Sequence, residues 1–391
     1  MNAKPGCVSD LIGLLDSPEE FVDKLTLEQW DLIVSQARSV GMLGRLFHIL
    51  DSENVIHRVP DAALRHFRWG DVISRRHVVL VGVEVDGISK VLSSLAGPII
   101  LLKGAAYSYG NIDALKGRIF TDIDLLVGEE EIGASEGLLE RNGWLSSHMS
   151  EYDQRYYRRW MHELPPMKHG QRQTELDLHH AILPKTSRFK TDTNLLFRNA
   201  VPINSDKRLY RLSDDDLLLH SAAHLFFDGE FNHGFRDLED IRSMMTAWQG
   251  ASNRWSSLIE RAACLGISNP LYFALYFSRE WFSISVPDWV LIRVSSDAKL
   301  GVFRRFVLIF LFRQSLLPIH SSCSGRANSI ARYFLYLRSH YLRMPLRLLI
   351  PHLVYKAFLP TLERLKEMRR ERSKGDILQR LIESKADRSL K

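Results

Sequence analysis

Asp122 and Asp124 lie one residue apart in the run I-F-T-D-I-D-L-L-V, residues 119–127. The neighbours are apolar enough for a half-buried strand, and on a strand side chains two apart share a face. Both carboxylates therefore project together, with Ile123 on the other side. Two like charges on such a strand repel and are costly to desolvate. A divalent cation relieves both costs, and hard oxygen ligands favour Mg2+ or Mn2+. A second run, T-E-L-D-L-H-H-A-I at 174–182, alternates in the same way and puts Glu175, Asp177 and His179 on one face. Asp177 is expected to be the third carboxylate, holding metal or accepting the proton of an attacking hydroxyl. His179 is expected behind it, orienting a carboxylate. Moving a phosphoryl or nucleotidyl group also needs cations on the phosphate chain. Lys103 and Arg118 are the candidates for that contact. Gly104 would let the backbone approach a phosphate, at a helix start whose potential is positive.

The elements that must position these groups follow from pattern. Residues 99–102, I-I-L-L, are a continuous apolar run that predicts a buried strand, and Lys103-Gly104-Ala105-Ala106 turns it into a short helix. Residues 129–142 predict a helix stopped by Gly143. Residues 152–160 are polar and aromatic and predict an irregular strand or hairpin, broken by Pro165-Pro166. Upstream, Ser17-Pro18-Glu19-Glu20 and Thr26-Leu27-Glu28-Gln29 read as helix starts, the second with a capping box. A long helix is expected within residues 60–95. Downstream, helices are expected at 214–227, 237–248, 255–265 and 302–312, the last carrying Phe303, Phe306, Val307, Phe310 and Leu311 on one stripe. His220 and His224 stand one helical turn apart; with no H-E-x-x-H pattern, a satisfied helix pair is the expected reading. Asp237 and Asp240 read as cap or surface acids.

A chain of 391 residues has room for two or three domains, and its 45% hydrophobic and 25% charged residues are an ordinary globular balance. Cys7, Cys264 and Cys323 are far apart in sequence with no metal or disulfide spacing, as expected in a reducing compartment. The first ten residues lack the apolar core of a signal peptide, and no apolar run approaches the ~20 residues of a membrane span. A cytoplasmic protein is the expectation. The net charge is +6, yet residues 301–361 contain no Asp or Glu while carrying eight arginines and Lys356. That segment reads as a solvated surface or as a face for an anionic membrane, with nucleic acid the less favoured partner.

K-G-A-A at 103–106, G-R-I-F-T-D-I-D-L-L-V at 117–127 and E-L-D-L-H-H at 175–180 together resemble an uncharacterised bacterial nucleotidyltransferase family of the DNA polymerase β superfamily. D-L-L-L-H-S-A-A-H at 216–224 and F-R-D-L-E-D-I at 235–241 are similar to that family's helical region. The resemblance covers about residues 61 to 245. It implies an α+β fold, a minimal nucleotidyltransferase mixed β-sheet core flanked by N- and C-terminal helical regions. The expected divisions are 1–96 (helical), 97–205 (core), 206–362 (helical, with the basic segment) and 363–391 (charged tail). The resemblance also implies Mg2+-dependent transfer of a nucleoside monophosphate from an NTP. It assigns Asp122, Asp124 and Asp177 to metal and catalysis, and Lys103, Gly104 and Arg118 to the nucleotide. The wider superfamily usually has Gly-Ser after its first strand; here Gly104-Ala105 leaves phosphate binding to the backbone, Lys103 and Arg118. The acceptor is expected to be a non-polymer: a sugar phosphate, a peptide or a protein hydroxyl, in polysaccharide or modified-peptide biosynthesis. Ala105 motivates a rival reading, an inactive nucleotide-sensing or antitoxin-like binding module; a peripheral membrane component is a third. Asp124→Asn is expected to abolish transfer and leave the fold intact.

Overall fold

The computed structural model describes residues 6–110, 112, 116–146, 150–203, 208–246, 254–355 and 358. Short apolar runs become strands: β1 (Ile99–Leu101), β2 (Asp122–Leu126), β3 (Trp144–Ser146), β4 (Met167–His169), β5 (Glu175–His179), β6 (Val201–Pro202) and β7 (Leu209–Arg211). They form one seven-stranded mixed sheet in the order β3-β4-β5-β2-β1-β7-β6. β1 is an interior strand and wholly buried, paired antiparallel with the middle strand β2 and parallel with β7. β2 lies parallel to β5, with Asp122 opposite Glu175 and Asp124 opposite Asp177. The fold is therefore α+β, a mixed sheet with helices before and after it, as expected of a nucleotidyltransferase core.

The amphipathic segments pack around that sheet. The helix Asp61–Val91 and the helix Asp214–Phe227 lie where periodicity predicts them. The capping box at Thr26 forms, with Gln29 and Thr26 exchanging side-chain-to-backbone bonds of 2.9 and 3.3 Å. The helix Gly234–Thr246 is fastened to distant parts of the chain by buried charge pairs, including Arg45 with Glu239 at 3.3 Å. Two positions of the predicted helix at 237–248 lie outside the described residues, as does the charged tail from 363. From Met344 on the chain belongs to a second unit, in which residues 346–355 are helical and expose Leu346, Ile350 and Val354.

Two expectations need correction, for residues 152–160 and for the basic segment, and the aromatic stripe gains a direction. Residues 152–160 are not strand or hairpin but lie in the helix Glu151–Trp160. Ser150 caps it by accepting from the Asp153 N–H at 3.1 Å, and the Tyr156 ring meets that of Trp160 one turn on, with centroids 6.0 Å apart. A cap and an i, i+4 aromatic contact outweigh the strand preference of tyrosine. The stripe on the helix Val302–Ser315 exists but faces outward: Phe303 is 81% exposed and Phe306 71%, while Leu308 and Phe312 face the core. Much of the basic surplus is spent inside the fold. Arg313 pairs with Glu280 and Arg343 with Asp228, while Arg332 and Arg338 donate to the carbonyls of Leu317 and Phe226 at 2.8 Å each. Cys7 and Cys323, far apart in sequence, come together: the Cys323 thiol reaches the Cys7 carbonyl at 3.8 Å.

Candidate active site

β1 delivers Lys103 to the end of the sheet where β2 begins. Lys103 takes φ +43° at the first residue of the helix Lys103–Tyr109, a left-handed conformation that is costly for a residue with a Cβ. The turn is closed by the Leu102 N–H donating to the Asp124 carbonyl at 3.0 Å. It aims the Lys103 Nζ at Asp124 Oδ1, 2.8 Å away. The same oxygen lies 3.0 Å from His179 Nε2. Asp124 is 1% exposed, so this carboxylate is buried and partnered by two nitrogens. Asp177 stands beside it in register, and one ligand atom each of Asp124, Asp177 and His179 lies within 4.8 Å of the other two. Asp122 shares the face at the half-buried start of β2 and adds to the negative field on Asp177.

The charges at this cluster are strongly perturbed. Burial works against the Asp124 carboxylate, but Lys103 and His179 more than offset it and hold the group well below the usual carboxylate range. Burial likewise opposes the Lys103 ammonium, and the Asp124 carboxylate overturns that and holds it above the ordinary lysine value. For Asp177 burial meets no such compensation: together with the charges of Asp124 and Glu163 it pushes the carboxyl up to about 7. An acid raised in this way marks an excess of negative charge that a cation would relieve. Carboxylate oxygens on adjoining strands also suit an oxygen-seeking divalent ion by type. The residues present therefore fit Mg2+ or Mn2+.

The other predicted residues fall differently. Arg118 does not point at the acid cluster: its Nε donates to Asp240 at 2.7 Å, its Nη2 to Asp237 at 3.1 Å and its Nη1 to the Ile119 carbonyl at 2.6 Å. Asp237 and Asp240 are thus not surface acids but partners of a buried arginine. Gly104 is required by packing, since a Cβ there would come 2.4 Å from the Phe120 ring. Glu175 leans away to Lys168, 3.3 Å off. His220 and His224 line a hollow of about 50 Å³ together with Lys103, His162, His179 and Arg343, and His220 Nδ1 has no hydrogen-bond partner among the described residues. A cavity of about 560 Å³ sits at the opposite end of β1 and β2, against Gly97, Gly128 and Lys185. Its lining does not include Asp122, Asp124 or Asp177. The sequence reading missed His162 and Glu163, whose only signal was H-E just before the Pro-Pro pair.

The family model described as an uncharacterised nucleotidyltransferase matches residues 26–283. The chain belongs to this family. No curated protein and no solved structure matches it. The nucleotidyltransferase match contains the whole sheet, the acid cluster and the helix Gly234–Thr246 that holds Arg118. Membership in a nucleotidyltransferase family supports transfer from an NTP as the general class of activity.

Proposed function

We propose that this chain is a metal-dependent nucleotidyltransferase of the DNA polymerase β superfamily type, moving a nucleoside monophosphate from an NTP to a non-polymer acceptor hydroxyl. The observation that carries the reading is the register of Asp124 with Asp177 on parallel strands, beside Lys103. Asp122, Asp124 and Asp177 would hold Mg2+ or Mn2+, which when bound neutralises and orients the phosphate oxygens. Lys103, whose partner Asp124 is then engaged, is placed to take a phosphate oxygen in exchange. Asp177, in register beside Asp124, would also accept the proton of the acceptor hydroxyl. The acceptor oxygen bonds to the α-phosphorus, the bond to the bridging oxygen breaks and pyrophosphate leaves. The acceptor class argued from resemblance, a sugar phosphate, peptide or protein hydroxyl, belongs to the same proposal.

The test is pyrophosphate release from labelled NTPs with Mg2+ across a panel of such acceptors and cell extract. Release that disappears in Asp177→Asn supports the reading. Tight NTP binding by calorimetry with no release on any acceptor would favour the nucleotide-sensing module instead, a reading that gains weight from Ala105 and from the ammonium already seated on Asp124.

The acid cluster also predicts a pH dependence. Between the unperturbed 3.8 and about 7, folded Asp177 binds more proton than unfolded Asp177. Stability therefore falls as pH rises through that window. A cation must displace the proton, so the Mg2+-induced rise in melting temperature should be larger at pH 8 than at pH 6 and should flatten in Asp177→Asn. An equal or larger rise at pH 6 would count against metal at this carboxylate.

The outward stripe favours a second property, contact with an anionic membrane. Phe303, Phe306 and Phe310 are exposed on a helix that also carries Arg304. Among the described residues no helix is long and apolar enough to cross a membrane, so the contact would be peripheral. Flotation with phosphatidylserine vesicles should carry the wild type and not Phe303→Ser/Phe306→Ser. Absence of wild-type flotation removes the idea.

A further inference from the structure

His162 and Glu163 lie outside the proposed oxygen site, yet they are held firmly against the acid strands. Glu163 forms an antiparallel bridge with His179. The His162 carbonyl accepts from the N–H groups of His180 and Ala181 at 2.9 and 3.2 Å, and the Leu164 N–H donates to the Leu178 carbonyl at 2.9 Å. Residues 162–164 thus extend the sheet edge beside the end of β5. Residues opposite each other across such a bridge project to the same side, so the Glu163 carboxylate meets the His179 ring.

The distances there suit a shared ion better than hydrogen bonds. Glu163 Oε2 lies 3.5 Å from His179 Nδ1 and 3.8 Å from His162 Nε2. A charge-assisted N–H···O bond closes to about 2.7–2.9 Å. Ligands at about 2.0–2.2 Å from a tetrahedral ion stand about 3.3–3.5 Å from each other. One ligand atom each of His162, Glu163 and His179 falls within 4.8 Å of the other two.

The tautomer of His179 sharpens the point. Its Nε2 faces Asp124 Oδ1, which as part of an ionised carboxylate can only accept, so Nε2 carries the hydrogen. Its Nδ1 is directed at the Glu163 carboxylate. His179 is 2% exposed, and its Nδ1 has no hydrogen-bond partner among the described residues. A buried ring nitrogen and a carboxylate that face each other at this distance leave room for a bridging ion. A histidine whose far nitrogen donates to a carboxylate is the usual arrangement behind a metal ligand.

We propose that His162, Glu163 and His179 hold a transition-metal ion of the zinc class, at a position separate from the all-oxygen site on Asp122, Asp124 and Asp177. Two imidazoles and one carboxylate select such an ion over Mg2+. Three protein ligands leave one coordination position open. Both histidines line the hollow of about 50 Å³ that also contains Lys103, His220 and Arg343, with room for one water or one oxygen of an acceptor. The proposal stands whether or not the acid strands carry out nucleotidyl transfer.

The experiment is titration of the chelator-stripped full chain with Co2+, followed by visible absorption, with Mg2+ in excess to fill the oxygen site. Wild type should bind one Co2+ with the intense bands of a tetrahedral ion. His162→Ala and Glu163→Gln should each weaken binding about tenfold or more, while Asp177→Asn should leave the bands in place. Absence of tetrahedral bands in the wild type, an unchanged titration in His162→Ala, or a loss that follows Asp177→Asn instead would each overturn the proposal. An extra proton on His179 would give these negative results. If His162→Ala does not fold, His162→Cys decides: a sulfur-to-cobalt charge-transfer band is expected, and a folded variant lacking it refutes the site. Pyrophosphate release with Mg2+ alone is a separate readout, so failure here and failure of nucleotidyl transfer are distinguishable.

Discussion

Asp124→Asn should cost the protein both its chemistry and part of its stability. Removing one preorganised charged group at a phosphoryl-transfer centre lowers turnover by about 10²–10³-fold or more. Breaking a buried ion pair from one side costs about 3–5 kcal/mol. Lys103 keeps 23% of its side-chain surface exposed, so the lower part of that range or less, about 2–3 kcal/mol, is expected here. The cost arises because Asp124 is the shared partner of Lys103 and His179, and the fold itself is expected to stay intact. Adding Lys103→Met to Asp124→Asn should restore part of the lost stability and none of the activity. Chemical denaturation and pyrophosphate release measure the two effects separately. An Asp124→Asn protein with wild-type turnover would end the enzyme assignment.

Arg118→Met should act through stability rather than through nucleotide affinity. All three nitrogens of the Arg118 guanidinium group are committed, to Asp240, Asp237 and the Ile119 carbonyl. Its side chain is only 10% exposed. Burial opposes its charge, and the two carboxylates reverse that and hold its pKa above the usual arginine value. Methionine fills similar space but strands two acids in the interior, at a cost of about 3–5 kcal/mol. The folded fraction should keep the wild-type KM for NTP. A variant as stable as wild type with KM raised about tenfold, a loss of about 1.4 kcal/mol of binding, would return Arg118 to the phosphate chain.

Local pattern made much of this molecule legible. β2 and β5 were readable because alternation places acids and apolar residues on opposite faces, and the helix Asp214–Phe227 because Ser213 caps a run at helical period. The pairing of Asp124 with Asp177 followed from chemistry rather than pattern, since two acid strands make sense only side by side. What sequence could not give was the partner of each charge. Arg118 meets Asp240 across more than a hundred residues, and nothing local announces that contact. The helix Glu151–Trp160 was missed because its tyrosines favour strands in isolation and its stabilising contacts depend on the helix already being formed. Glu163 was hidden for a related reason. It acts from a bridge outside the regular strands, where periodicity carries no signal.

The parallel alignment of β2 and β5 bears on how this chain could change in length. The stretch between residues 127 and 174 joins the two strands without setting their register. Insertions and deletions there that fall outside β3, β4 and residues 162–164, which pair with β5 or with each other, would leave the acids where they are. One residue added between Asp122 and Asp124 would turn one carboxylate into the core, and one added between Asp177 and His179 would part the imidazole from its aspartate. Natural and engineered length variation should therefore gather in the loops of the connecting stretch and be absent inside the two strands and at residues 162–169.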